Sequence, residues 1–327
     1  MLDDPLSQPD FLRRVSRTFA LSIRALPKDL RPAIESAYLL ARLADTVADR
    51  SAVGAAKKLE LLAGLRACLN AGEFDLVRLE LAQVGLGDDP TAQAESILLR
   101  SAPQLMSRLA GMPPAERNAV SRVVTRLIAT MEWEVQRFGV EHARGLRDRR
   151  ELEWYTDGIA GCVGEFWTAL LVIHRRGVTP RDEAAMSRLG RRYGRGLQLV
   201  NIVRDVARDA ERGVRFLPPG EDPHARLAQS HSHLIAGLLY TTKLPVLQWR
   251  VRFATLLPAA LGLATIRALR TNRRASATPI KIGKSRLLLT VFLCAAASLF
   301  PRAPLLLATP RHRNSRPNSG TVYLKQS

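Results

Sequence analysis

An all-α, single-domain fold is predicted for this 327-residue chain from three observations. Apolar residues recur at helical spacing through most of its length. Ala, Leu and Arg are abundant while aromatic residues make up only 6%, a mix that favours helices over sheets. No alternating apolar–polar run exceeds about four or five residues, the pattern a half-buried strand needs. At 46% hydrophobic residues, a chain of this length carries a sizeable core and reads as neither disordered nor multi-spanning.

The elements follow in order. Pro32 stands near the start of a helix reading from Ile34 to Arg50. After the Pro113-Pro114 break a second runs from Val120 to Phe138. Trp154 to Arg176 and Ala184 to Glu211 are two more. The stretch Arg212 to Pro223, RGVRFLPPGEDP, ends the last of these with Pro and Gly. Helical periodicity resumes at about Ala225, so that stretch is a loop inside one domain. Leu287 to Phe300 is apolar for fourteen residues, short of the roughly 20 that span a bilayer. Pro301, Arg302 and Pro304 interrupt it, and the tail after Pro310 is polar, Arg-rich and expected to be disordered. One domain over residues 1–286 is therefore expected, followed by an apolar and then basic tail over 287–327.

Charge and cysteine usage narrow the class. The net charge of +19 points first to nucleic acid or an anionic membrane. Its distribution is uneven: the last acidic residue is Asp222, and residues 223–327 hold 16 Lys or Arg and no Asp or Glu. Cys68, Cys162 and Cys294 are far apart and in no CxxC pattern, which argues against a disulfide framework or a structural zinc site and for a reducing cytoplasm. The N-terminus, MLDDPLSQPDF, is acidic and lacks the apolar stretch of a secretory signal. Neither GxGxxG nor GxxxxGK[ST] occurs, so no glycine-rich phosphate loop is expected.

Two short segments carry the candidate chemistry. ARLADTVADR places Asp45 and Asp49 four residues apart, and QLVNIVRDVARD places Asp205 and Asp209 at the same spacing. On a helix, i and i+4 share a face, so each pair presents two carboxylates side by side. A hard divalent cation relieves their repulsion, and Mg²⁺ typically takes one or two carboxylates plus substrate phosphates. Two such helices facing each other would hold a diphosphate through bridging Mg²⁺ and offset charge on departing pyrophosphate. The alternative is a solvated face, with Asp45 paired to Arg42, Asp205 to Arg208 and Asp209 to Arg212. Both pairs follow strongly apolar segments, which is unusual for surface decoration.

Four motifs together resemble the squalene and phytoene synthase family. VSRTFALSI, residues 15–23, resembles its "SRSFA" opening; Tyr38 to Asp49 resembles its first aspartate-rich motif. YTDGIAGCVG, residues 155–164, is similar to its central segment, and QLVNIVRDVARDAERGVRFLP, residues 198–218, to its second aspartate-rich motif and trailing aromatic-Leu-Pro. They occur in the family's order over about two-thirds of the chain. The resemblance implies an isoprenoid-synthase helical bundle around a central cavity. It implies a prenyltransferase that couples two prenyl diphosphates to a cyclopropylcarbinyl diphosphate and then rearranges it. By position, Asp45, Asp49, Asp205 and Asp209 would ligate Mg²⁺, and Gln198 and Asn201 would line the second site. Arg42, Arg204 and Arg215 would bind diphosphate oxygens, Tyr155 would assist proton transfer, and Ser16 and Phe19 would line the first substrate site. Gly161 and Gly164 would permit close helix approach or leave room for a chain. Two positions depart from the pattern: Arg50 stands where another acid is common, and Thr130 where a glycine is expected.

The wording SRTFALSI and DTVAD is closer to squalene synthases, which reduce the rearranged cation with NADPH, than to phytoene or dehydrosqualene synthases, which lose a proton. Arg252-Phe253, Pro258, Ala264-Thr265, Asn272 and Lys281-Ile282 resemble the same branch. There Lys281 would meet the cofactor's phosphates, with Asn201 nearby; otherwise Lys281 is one more charge in a basic stretch. A half-reaction enzyme stopping at presqualene diphosphate is a further alternative, and a non-catalytic basic helical protein binding membrane or nucleic acid is the rival of another class. The four ordered motifs count against nucleic acid. The basic stretch from Arg267 to Arg286 beside apolar Leu287 to Phe300 suits an anionic leaflet, so a monomer, cytoplasmic and peripheral at the inner face of a membrane, is expected.

Overall fold

The structure is a computed structural model that describes residues 11, 19–50, 53–71, 90–141, 144–271 and 283–308. Among them there is no strand, only an isolated bridge between Gly145 and Arg215. The helices are α1 (Phe19–Ala25), α2 (Arg31–Asp45), α3 (Ala55–Ala71), α4 (Pro90–Arg100), α5 (Ala102–Ala110), α6 (Pro114–Glu134) and α7 (Arg149–Thr156). They continue as α8 (Cys162–Ile173), α9 (Glu183–Glu211), α10 (Pro223–Lys243), α11 (Trp249–Thr271) and α12 (Lys284–Ser298). A short 3₁₀ helix, Ala303–Ala308, closes the described chain.

Local chemistry sets the boundaries. Pro32 and Pro114 occupy first-turn positions of α2 and α6, where no amide hydrogen is missed. The Asp148 side chain caps α7 through the Glu151 amide at 2.9 Å, which starts that helix earlier than periodicity predicts. Asp222 accepts from the amides of His224 and Ala225 and so ends the loop that follows α9. Three predicted helices also contain a wider turn. α2 passes into a π-helical segment at Thr46–Arg50, α6 into one at Val135–Val140, and α7 joins α8 through another at Asp157–Gly161.

The largest core cluster joins α1 to α6 and α8 and reaches α9, α10 and α11 through Met186, Tyr240 and Ala254, and a second joins α9, α10, α11 and α12. α8 and α9 meet at Gly164 and Gly190, where a Cβ on Gly164 would lie 2.0 Å from the Gly190 carbonyl oxygen. Gly164 thus serves close helix approach, and it also lines an apolar cavity. Thr130, where a glycine is expected, is buried against Gly158 of a π segment. The runs Arg149–Ile173 and Val246–Thr271 are long and apolar enough to cross a bilayer by composition, and 72% of the latter's apolar window is buried in the bundle.

Leu287 to Phe300 forms most of α12 and packs on α11 through Cys294 and Ala297. Arg252 holds it there. This fully buried guanidinium donates to the carbonyls of Thr241 and Leu244 at the end of α10 and of Ser298, Phe300 and Pro301 at the end of α12. The carbonyl-rich C-terminal ends of two helices stand in for a carboxylate partner. Cys68, Cys162 and Cys294 are buried and free.

Candidate active site

The aspartate pairs converge. Asp45, the last residue of α2, and Asp49, in the π segment after it, face Asp205 and Asp209 on α9 across a cavity of about 240 Å³. Gln198, Asn201 and Tyr155 line the same space, as expected. Glu134 joins them from the end of α6, and Arg208, Arg212 and Phe216 from α9 and its loop. Two of the π segments line this cavity, through Asp49 and Ile159, and the third begins directly after Glu134. Such turns are frequent at functional sites because they re-aim side chains within a helix.

Ile159 also lines a second cavity of about 170 Å³ that is almost wholly apolar. Its walls include Ile23, Val163, Trp167, Tyr193, Leu197 and Pro258 from α1, α8, α9 and α11. The two cavities, one acidic and one greasy, share Ile159 as a wall.

The arginines are arranged differently from expectation. Arg42 grips Asp45 and the buried Glu95 of α4. Arg204 grips Asp205 with two bonds, Nη2 to Oδ2 at 2.7 Å and Nε to Oδ1 at 3.0 Å, and Arg208 reaches the same carboxylate at 3.3 Å. Arg42 and Arg204 thus each hold the first aspartate of a pair, and neither of these two lines the cavity. Arg215, expected at the diphosphate, is exposed and outside it. Its backbone pairs with the 144–146 segment, through its own amide to the Arg144 carbonyl and the Leu146 amide to its carbonyl. Neighbouring residues of an extended segment face opposite ways, so Phe216 turns inward and stacks on Tyr155 with ring centres 5.1 Å apart. Arg212, one turn beyond Arg208, is the second guanidinium at the cavity. Ser16 and Lys281 lie outside the described residues, and Phe19 is in α1 with its side chain outside them.

Burial and mutual repulsion dominate the electrostatics. The Asp45 carboxyl is pushed up to about 6 by burial and by Asp49, against the pull of Arg42. Glu134 is pushed up to about 8 by burial and by Asp49, against the bond it accepts from Tyr155. Burial and Asp205 raise Asp209, and burial with Glu134 raises the Tyr155 phenol. Carboxylates that hold one another protonated are short of positive charge. A divalent cation fits that deficit. No three acidic, histidine or cysteine groups among the described residues close on a single point. The donor set therefore suits an ion that takes one or two carboxylates and fills its sphere with water and phosphate, the habit of Mg²⁺.

Glu134 carries no signal in the sequence. Beside Glu132 it reads as a second solvated acid, and only the fold brings it to Tyr155. Arg208 and Arg212 read as ion-pair partners of the aspartates, which Arg208 is, while also facing the cavity.

Comparison with known proteins agrees with this geometry. The family model described as squalene/phytoene synthase matches residues 12–221. The squalene synthase of Yarrowia lipolytica is 24% identical over 203 residues, covering 62% of this chain and 43% of that protein. The phytoene synthase of Mycobacterium tuberculosis is 27% identical over 209 residues, covering 64% and 55%. The aligned region thus spans about half the length of these relatives. Among solved structures, TcSQS bound to a ligand superposes with a TM-score of 0.76 at 22% identity, over 94% of this chain and 89% of that one. A dehydrosqualene synthase gives 0.59 at 16% identity, over 88% and 94%. The all-α fold is shared with both.

Proposed function

Because the chain belongs to the squalene/phytoene synthase family, we propose that it is an Mg²⁺-dependent prenyltransferase that joins two farnesyl diphosphates head to head and, with NADPH, makes squalene by way of presqualene diphosphate. The observation that supports this most is the pairing of two cavities: one holds four aspartates from α2, the π segment after it and α9, and the apolar one beside it shares the Ile159 wall.

The residues divide the work. Mg²⁺ held by Asp45, Asp49, Asp205 and Asp209 would neutralise the diphosphate and stabilise the leaving pyrophosphate. Arg42, Arg204 and Arg208 keep the aspartates oriented for that task. Arg208 and Arg212 offer guanidinium donors to phosphate oxygens from the cavity wall. The prenyl chains would lie in the apolar chamber, which excludes water from an allylic cation. Tyr155 and Phe216, stacked on each other in the wall of the acidic cavity, would put aromatic surface near that charge. A proton lost as the two chains couple would be taken up at the Tyr155 oxygen where Glu134 is ionised, the phenol passing its own proton along the 2.9 Å bond to Glu134 Oε2.

The choice of squalene rests on the wording of the first motifs and the neighbourhood of Lys281. Purified protein given farnesyl or geranylgeranyl diphosphate with Mg²⁺, with and without NADPH, tests it. Squalene formed only when NADPH is present supports the reading. A product made from farnesyl diphosphate without NADPH, and not converted to squalene when NADPH is added, would replace it with dehydrosqualene or presqualene diphosphate formation. Turnover of geranylgeranyl diphosphate alone would point to phytoene. No product from either substrate would remove the enzyme reading and leave the non-catalytic helical protein.

A further inference from the structure

Two of the π segments share a neighbour. α3 packs against both the segment that carries Asp49 and the one that follows Glu134. Its first turn makes the contacts. A Cβ on Gly139 would lie 2.9 Å from the Cβ of Ala55, so the start of α3 is seated on Val135–Val140 with no room for a methyl group. One turn on, Lys58 Nζ donates to the Ala48 carbonyl at 2.8 Å.

Ala48 is a wall of the acidic cavity and immediately precedes Asp49. Its carbonyl is among the last four of the helical run that begins with α2 and ends at Arg50, and such carbonyls have no partner within their own helix. An ammonium at that end satisfies the carbonyl and suits the negative end of the helix dipole. The Lys58 side chain is only partly exposed. Burial lowers its pKa, Asp49 raises it and Arg212 lowers it. Both of these charged neighbours line the acidic cavity, which Lys58 itself does not.

We propose that Lys58 is a positioning residue for the metal end of the site: by holding the Ala48 carbonyl it fixes the turn that aims Asp49 into the cavity. This rests on the reading of Asp49 as an Mg²⁺ ligand and adds to it a group that acts through the backbone. The sign of its effect separates this role from a charge effect. A cation beside a metal site repels Mg²⁺, so removing Lys58 for its charge alone would tighten metal binding. Removing a positioning group weakens it.

Thermal melts of the full chain read Mg²⁺ binding without turnover. Mg²⁺ is titrated at a fixed excess of pyrophosphate, and the concentration giving half of the rise in melting temperature is compared. Lys58→Met is expected to raise that concentration roughly tenfold. Its melting temperature without ligand should fall by no more than a few degrees, because one partly exposed hydrogen bond is lost. Lys58→Arg, which keeps the charge and a donor, is expected to recover most of the lost affinity. Lys57→Met, which breaks the adjacent pairing with Glu60, should match wild type. A half-point in Lys58→Met equal to or below that of wild type would overturn the proposal, as would an equal rise in Lys57→Met. A wild type that shows no Mg²⁺-dependent shift, and so matches Asp49→Asn, would remove the metal reading itself and this proposal with it.

Discussion

The Tyr155 hydroxyl donates to Oε2 of Glu134 across 2.9 Å, joining α7 to the end of α6 beside Asp45 and Asp49. The bond steadies Glu134 as an acceptor but does not offset its burial and its repulsion by Asp49, and the carboxyl stays protonated until about pH 8. The unfolded chain would release that proton near 4.5. Between these values the folded state binds the extra proton, so stability falls as pH rises from about 4.5 to about 8. Asp45 adds the same sign up to about 6. Glu134→Gln should remove much of the slope. Without divalent ions, thermal melts should show the variant gaining a few degrees on wild type at pH 8, with the gain shrinking toward pH 5. Parallel melting curves across that range would contradict the assignment.

Asp45→Asn and Asp205→Asn each remove one carboxylate from a pair. Each should lower turnover roughly a hundredfold or more. They should also blunt the rise in melting temperature that millimolar Mg²⁺ with pyrophosphate gives the wild type, because a ligand stabilises only the state that binds it. An unchanged Mg²⁺-dependent shift in both variants would remove these residues from the metal site. Arg215→Ala, on an exposed loop position outside the cavity, should leave both readouts near wild type.

The aspartate pairs are legible in the sequence because a four-residue spacing places two carboxylates on one helical face without knowledge of the fold. The helices themselves are legible for a similar reason: period, proline and a capping aspartate are local signals. The direction of a long side chain is not. Arg42 and Arg204 are identifiable as residues of the site, but whether a guanidinium turns toward the cavity or back onto its own aspartate depends on neighbours such as Glu95 on another helix. The π segments leave no residue signature. They arise where tertiary packing widens a turn, and they bring Asp49 and Ile159 to the cavity. Phe216 shows the intermediate case: the aromatic-Leu-Pro motif is visible, while its stacking on Tyr155 requires the pairing of the loop with residues 144–146.

Gly164 tests the contact between α8 and α9. A Cβ there would stand 2.0 Å from the Gly190 carbonyl oxygen, and backbone cannot rotate aside as a side-chain tip can. Gly164→Ala should force the helices apart and lower stability by about 1–3 kcal/mol. The apolar chamber should change shape with it, so a stable variant would still show a raised KM for the prenyl substrate. Gly54→Ala, with nothing within 4 Å of the added atom, is the matched control. Equal denaturation midpoints for the two variants would mean that the glycine contact is not tight in solution.

Arg252 offers the sharpest separation between a structural and a catalytic role, because its motif position resembles part of a cofactor-using branch while its guanidinium is spent on the backbone. Its five contacts all go to main-chain carbonyls, with no carboxylate among them. Desolvation lowers its pKa without any opposing acid, so the helix ends alone keep the cation tolerable. Arg252→Met removes the charge but strands several buried acceptors, and should cost about 3–5 kcal/mol in denaturant unfolding. Arg252→Lys should recover only part of this, since one ammonium with three donors cannot span both helix ends. In either variant, under conditions where the fold is retained, the KM for NADPH should match wild type. A selective rise in that KM, with stability intact, would instead place Arg252 at the cofactor.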